Sequence, residues 1–414
     1  LAAIGFTFPV ILTLQSLSIG LGAGAASVVS RAYGEASHKD ICRLSTDALF
    51  LGIVIVTILM VIGYFSIKPT FALLGVDEDI MADVVSYMEV WYLGLPLLVV
   101  PQIANSTLRA GGDSLYPSLI MISAALVNII LDPILILGLW GAPRLELVGA
   151  AWASNGVRAV TLVLALCIVI FREKLIVLSW PGTAALFDSW KRIIKVAVPA
   201  AVGSSINPVG IAIVTSLLAG YAASVVAGFG VATRIEAFAS IPMFALSAAI
   251  GPIAGQNWTS GNRDRVQRAL VQSYLFCVVW SLLVAMILWF SSDWIGAQFT
   301  DDESVAEQVS AYLKIVPVSL MGYGVVTIAS GCFNAIDEPR SSLVFYLLRS
   351  AVLYVPLSFM ASLLAGATWV YGAIAVANGV AGILVAFLSI RWLAKARCEE
   401  APAVSVLFQD AIAR

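Results

Sequence analysis

The sequence predicts an all-α integral membrane protein: two homologous six-helix lobes related by a pseudo-two-fold along the membrane normal, with eleven of twelve helices present. Three observations carry that prediction. Of the 414 residues, 60% are hydrophobic and only 12% charged, with a mean hydropathy of +0.97. Soluble chains carry about 25% charged residues, so half that share cannot cover a water-facing surface. The apolar residues fall into eleven separate runs long enough to cross a bilayer, which takes about 20 residues per helix. The second half of the chain repeats the first.

The runs are 1–29, 42–66, 84–106, 115–139, 148–171, 192–219, 224–250, 267–290, 307–332, 342–364 and 370–393. The first closes on a Gly/Ala-rich stretch before the charged loop 30–43, and each later run is bounded by charged or Gly-containing turns. Prolines lie inside many of them (Pro9, Pro96, Pro133, Pro199, Pro208, Pro242, Pro317, Pro356). In hydrocarbon a helix is still the only open-chain solution, because neighbouring helices supply the bonds that proline removes.

Lysine and arginine orient the runs. Taking alternate loops from 30–43 to the C-terminal tail as one side gives it eighteen, Arg349 among them, against Lys68 and Arg144 opposite. The opposite loops are acidic, as in Asp77–Glu78–Asp79 and Asp301–Asp302–Glu303. The C-terminus is therefore expected in the cytoplasm of a cell with the protein in its inner or plasma membrane, and Leu1 outside.

At an offset near 225, Tyr87-Met88-Glu89-Val90 falls on Tyr312-Leu313-Lys314-Ile315, and loop 31–41 on 256–266. At 223, Gly149-Ala150 and Asn155-Gly156-Val157 meet Gly372-Ala373 and Asn378-Gly379-Val380. The run 192–219 precedes the segment that aligns with Leu1, so its first-half partner is expected ahead of Leu1; the chain also begins at Leu rather than Met. The expected domains are an N-terminal lobe 1–171 lacking its first helix, a cytoplasmic linker 172–191, a C-terminal lobe 192–395 and a cytoplasmic tail 396–414. Six helices per repeat make the repeats parallel, an architecture of transporters with a central site between lobes.

Composition also excludes. A formal net charge of −2 leaves no basic footprint for nucleic acid. The single histidine, His38, lies in a charged loop, and no Cys/His cluster has metal-ligand spacing. Cys42, Cys167, Cys277, Cys332 and Cys398 are scattered and build no disulfide framework. No charged n-region with a cleavage site is present in these residues, so no secretory signal is expected, and without a nucleophile–base set or catalytic carboxylate pair near an interface no enzyme is expected.

Along nearly its whole length the chain resembles the multidrug and toxic compound extrusion (MATE) family. The resemblance rests on Ser30-Arg31-Ala32-Tyr33-Gly34-Glu35 after the Gly-rich first run, and on Leu108-Arg109-Ala110-Gly111-Gly112-Asp113. It rests also on Asn128-Ile129-Ile130-Leu131-Asp132-Pro133, Gly149-Ala150-Ala151 and Gly255-Gln256-Asn257, in that order. It implies two six-helix lobes and export of amphipathic, usually cationic compounds in exchange for H⁺ or Na⁺. Two features depart from the family: its first helix, which commonly supplies a coupling carboxylate, is absent, and 192–219 holds no Asp or Glu.

Ionisable groups inside spans are costly and are functional candidates by default. Asp132 lies in run 115–139, with Asn128 four residues earlier on the same helical face. Such a carboxylate suits reversible protonation, and with the amide oxygen it equally suits Na⁺. Aligned on Pro133 and Pro356, Asn128 faces Ala351 and Asp132 faces Val355, so the polar pair occurs in one lobe only. The resemblance assigns Asp132 and Asn128 to a cation-coupling network and extends it to Asn105 and Ser154. The alternative is a packed polar pair that holds helices together.

In run 224–250, Arg234 and Glu236 point about 200° apart on a helix and cannot share one cavity. Glu236, Arg234, Phe238 and Met243 are the expected substrate-binding residues; Glu236 suits attraction of a cationic substrate, coupling, or an interhelical bond. Arg158 suits a charge partner for a buried acid; Glu89 and Lys314, snorkelling or pairing; Asp47 holds little functional promise. Phe229, Phe238 and Met243 suit either a pocket for flat cations or packing. Trp91, Tyr92, Trp289, Trp294 and Trp369, near run ends, suit interfacial belts.

The expected function is a cation-coupled antiporter working by alternating access, a monomer with no cofactor beyond H⁺ or Na⁺, meeting lipid and amphipathic cations. The rival is a flippase for lipid-linked oligosaccharide or peptidoglycan precursors, which needs a strongly cationic cavity; the only intramembrane cations expected are Arg158 and Arg234.

Overall fold

Each predicted run is helical in the computed structural model, which describes residues 2–412 apart from 36, 74, 75, 77, 142, 178, 180, 181 and 365, and no side chain before Thr7 or beyond Ala396. The placement of Leu1 thus lies outside the described residues, and beyond Ala396 the expected tail 396–414 is described only as backbone, to residue 412. Among the described residues, eleven helices are long and apolar enough to cross a membrane. They are α1 (Thr7–Gly34), α2 (His38–Leu73), α3 (Asp79–Ala110), α4 (Leu115–Leu137), α5 (Glu146–Arg172) and α6 (Thr183–Leu218). There follow α7 (Ala223–Thr259), α8 (Arg263–Phe299), α9 (Glu303–Ala335), α10 (Pro339–Leu363) and α11 (Ala367–Ala396).

Several helices outrun their apolar runs. α6 starts at Thr183, so residues 183–191 of the expected linker are helical. The reason is physical: an apolar run stops where lipid stops, whereas backbone bonding continues through Lys191 and Arg192 into water.

The chain divides into two compact units, Leu1–Val202 and Gly203–Arg414. Each has a core of its own, one from Leu21 to Ala197 and one from Val214 to Leu393. In the first, α3 is the hub, packed against α1, α2 and α5, while α4 leans chiefly on α5. A Cβ on Gly20 would come within 2.5 Å of the Ala197 carbonyl oxygen, so only small residues let α1 approach α6 this closely. In the second unit, α9 is the hub against α7, α8 and α11.

Equivalent helices of the two repeats are interrupted at the same place: α3 at Gly94, and α9 over the 3₁₀ turn Pro317–Ser319. The tenth differs from its repeat counterpart. α4 is regular from Leu115 to Leu137, whereas α10 widens into a π-helix over Leu348–Tyr354.

Two of the family-like motifs, at 30–35 and 108–113, meet at one turn. Gly112, at φ +94°, reverses the chain after α3 in a conformation that other side chains rarely adopt. Asp113 Oδ1 then accepts the Leu115 N–H at 2.9 Å to start α4, while Gly111 lets the Tyr33 hydroxyl approach. Outside the spans, Asp302 starts α9; the Ser304 hydroxyl and N–H hold its carboxyl below the usual carboxylate range.

Two sequence expectations need correction. Trp91 and Tyr92 are buried in the core of the first unit rather than facing outward, because Gly63 of α2 leaves room for the Tyr92 ring and Arg158 of α5 covers Trp91; Trp289, Trp294 and Trp369 are exposed. Arg349 leaves the cytoplasmic tally: it sits buried inside α10.

A prediction follows from the α9–α11 contact, where a Cβ on Gly322 would lie 1.9 Å from the Asn378 carbonyl oxygen. Gly322→Ala should destabilise the second unit by about 1–3 kcal/mol, as overpacking does. Gly372→Ala, with nothing within 4 Å, should leave the melting temperature in detergent unchanged or slightly raised.

Candidate functional site

In the first unit, the expected coupling residues lie on three adjacent helices: Asn105 on α3, Asn128 and Asp132 on α4, and Ser154 on α5. Asn128, Asp132 and Ser154 are half-buried, and Asn105 is buried with its Oδ1 lacking a hydrogen-bond partner. No hydrogen bond joins Asn128 to Asp132, and Asp132 has no ion-pair partner among the described residues. The adjacent α5 instead holds a network at the α3 interruption. Asn155 Nδ2 donates to the Val90 carbonyl at 2.6 Å, and Arg158 Nη1 donates to Asn155 Oδ1 at 3.4 Å. The Arg158 guanidinium lies 5.1 Å over the Trp91 ring. Its partners are thus an amide and an indole rather than the acid the sequence suggested.

In the second unit, side chains from five helices converge on one recess, among them Asn207 of α6, Glu236 of α7, Tyr312 and Tyr323 of α9, and Arg349 and Tyr354 of α10, with Ile374 of α11 beside them. Helical periodicity explains the selection. Glu236 faces the recess while Arg234 and Phe238, each about 200° round the helix, are exposed. Met243 returns to the Glu236 side two turns on, but is buried beneath Gly324 and beside Cys277, so it packs and does not line the recess. Phe244, which the sequence did not single out, does line it, edge-on to Tyr323. Phe229 is packed between Tyr312 and Tyr371. Of the four residues expected at a substrate site, Glu236 alone is there.

Both charges in the recess are held by neutral groups. The Tyr312 hydroxyl donates to Glu236 Oε2. Arg349, 3% exposed, donates from Nε to Asn378 Oδ1 at 2.9 Å and from Nη1 to Asn207 Oδ1 at 2.6 Å. Its guanidinium lies 4.1 Å over the Tyr323 ring and 5.3 Å from the Tyr354 ring. The amides are themselves anchored, Asn378 to the Ser319 hydroxyl and Asn207 to the Tyr323 hydroxyl, each at 3.2 Å. Arg349 and Glu236 do not form an ion pair with each other.

Sequence reasoning missed Arg349 because its nearness to the start of a run put it with the loop cations. A signal was available. On the alignment that pairs Pro133 with Pro356, Arg349 faces Leu126, an unpaired charge by the same test that singled out Asp132. The remaining charges are ordinary. Lys314 pairs with Asp293 at 2.8 Å on an exposed face, and buried Asp47 lies 3.7 Å from Arg43.

Comparison with known proteins bears on this arrangement. The MatE family profile matches residues 1–134 and 199–360. A FAD transporter of Shewanella oneidensis is 35% identical over 391 residues, spanning 94% of this chain and 86% of that protein. The multidrug export protein MepA of Staphylococcus aureus is 25% identical, over 94% of this chain and 85% of its own length. Among solved structures, a mutant of the Vibrio cholerae MATE transporter VcmN superposes with a TM-score of 0.91 at 23% identity, covering 96% of this chain and 89% of that one.

The Arg349–Asn378 bond has a measurable strength. Hydrogen bonds to charged groups contribute about 1.5–3 kcal/mol. A double-mutant cycle of Arg349→Met and Asn378→Ala, read by unfolding in detergent, should return a coupling energy in that range. Additive effects would show that the bond carries no net stability.

Proposed function

The chain belongs to the MATE family, multi-pass membrane transporters rather than enzymes, and from that premise we propose an H⁺- or Na⁺-driven antiporter that exports amphipathic, mostly cationic drugs and toxic compounds by alternating access. One observation carries the coupling assignment. Asp132 is an ionisable group within a helix long and apolar enough to cross a membrane, half-buried, with no ion pair or hydrogen bond among the described residues. A charge so placed is costly, and taking up H⁺ or Na⁺ removes the cost. Occupancy of Asp132 therefore shifts the balance between two packings of α4, with Asn128 beside it as a second oxygen ligand. Pro133, which offers no N–H, makes that part of α4 the easiest to bend.

The driving forces suffice. One pH unit supplies about 1.4 kcal/mol per proton, and 100 mV about 2.3 kcal/mol per charge moved. Together they sustain a substrate gradient of roughly several hundredfold, since about 1.4 kcal/mol is tenfold. The lysine and arginine bias supports a cell-membrane protein with its C-terminus in the cytoplasm.

A second reading of the cargo has an observation of its own. The Shewanella relative is a FAD transporter, and a flavin dinucleotide combines a flat ring system with a diphosphate. The recess offers tyrosine rings and the fixed cation Arg349. A lipid-linked precursor flippase is less well supported: Arg349 adds one cation to Arg158 and Arg234, which falls short of a strongly cationic cavity.

The test uses the full-length protein in liposomes, with a fluorescent lipophilic cation and FAD as separate cargoes under an imposed H⁺ or Na⁺ gradient. Asp132→Asn should reduce gradient-driven movement to the level of empty liposomes while cargo affinity changes less than about threefold. Unchanged transport in that variant would overturn the coupling role. Movement of neither cargo under either gradient would overturn the antiporter.

A further inference from the structure

The recess of the second unit encloses ≈ 90 Å³, several-fold below the roughly 300–1,000 Å³ of pockets that hold a whole drug-sized ligand. It admits a few waters or one small polar group, and so does not hold an entire aromatic substrate. Of the two charges it presents, the cation has no counter-ion within ion-pair distance. A guanidinium has five N–H donors and is always charged. Arg349 spends two of them on the amide oxygens of Asn207 and Asn378. No carboxylate lies within ion-pair distance of it, and among the described residues nothing accepts from Nη2.

A guanidinium placed solely to brace helices is cheapest when a carboxylate faces it, because a buried unpaired charge costs several kcal/mol. Here a carboxylate lines the same recess, and its Oε2 accepts from Tyr312 instead. Neutral groups from α6, α9 and α11 fix the plane of the guanidinium and leave its charge and three donors available. The π-helix Leu348–Tyr354, a geometry that recurs at functional sites, carries it. Across the repeat, Asn378 has its counterpart in Asn155, whereas Arg349 has only Leu126. The amide belongs to the fold of both units; the inward cation is particular to this recess.

We propose that Arg349, oriented by Asn207 and Asn378, binds the phosphate or carboxylate group of a ligand in this recess, the ligand's aromatic remainder lying outside it. The proposal rests on the reading of the chain as an exporter and deepens it, by naming an anionic group as part of what the second unit recognises. A substrate phosphate and a lipid headgroup phosphate share this chemistry.

Riboflavin and FMN form the probe pair, differing only in a phosphate. Their affinities are measured by flavin fluorescence on the full-length protein in phosphatidylcholine nanodiscs. FMN should bind at least tenfold more tightly than riboflavin. Arg349→Gln should bring FMN to the riboflavin level and move riboflavin less than twofold, with Arg349→Lys in between, since lysine keeps the charge and loses the fork. Loss of FMN binding on adding phosphatidylglycerol would support the site and assign it to a lipid headgroup; unchanged binding assigns it to substrate. Equal affinities in the unaltered protein, or no saturable FMN binding below 1 mM, would overturn the proposal without requiring any variant to fold. An equal loss of both flavins in Arg349→Gln would reduce the arginine to a brace. Dye export that persists in Arg349→Gln and fails in Asp132→Asn would leave the antiporter standing whatever becomes of the anion site.

Discussion

Hydrocarbon offers no hydrogen-bond partner to a peptide group, and the structure follows from that constraint. Wherever a helix departs from regular bonding, the freed groups must be enclosed by protein. The departures in this chain obey it. Gly94 interrupts α3 against Asn155 of α5, and Pro317–Ser319 interrupts α9 beside Asn378 of α11. Each lies on the hub helix of its unit, where the enclosure is most complete. In α9 side chains take up the freed carbonyls: the Ser281 hydroxyl sits 2.9 Å from both the Pro317 and Val318 oxygens.

The same constraint makes the two units comparable where they differ. Asn155 and Asn378 hold equivalent repeat positions, and each accepts from an arginine that lies over an aromatic ring. In the first unit the arginine is one helical turn along the same helix and serves α5 and α3. In the second it arrives from another helix, α10, and Asn378 spends its own donor on Ser319. The π-helix is what delivers it. Pro133 sits in a regular stretch of α4, so its counterpart Pro356 does not by itself widen α10. The seven residues before Pro356 hold Arg349 and Tyr354, whose burial against Asn207, Asn378 and Tyr323 compensates for the looser backbone.

This divides what the sequence makes legible from what it does not. Fold class and every span are written in composition and period, because lipid imposes a long apolar run on each crossing helix. Helix ends are not, since a helix such as α6 continues for turns beyond the apolar limit. A repeat alignment isolates charges that one unit lacks, and Asp132 and Glu236 emerge that way. Which face of a helix meets the interior is less legible when all faces are apolar. Phe238 and Met243 are equally greasy, and only packing decides that the first meets the outside and the second the core. Trp91 lies near the end of an apolar run as an interfacial residue does, yet its repeat equivalent Val316 is fully buried, a hint that position along the run outweighed.

The charges of the recess are best understood through what holds them. Joining Glu236 to Arg349 would have cancelled both, and a mutually satisfied pair attracts little else. Binding one to a phenol and the other to two amides leaves each field in place at a cost in desolvation. That cost is lower at a recess reached by water than in a closed core. Such an arrangement favours any ligand group that answers one of the charges, and disfavours apolar groups that only displace water. The aromatic rings around the guanidinium set its orientation as much as they offer a stacking surface.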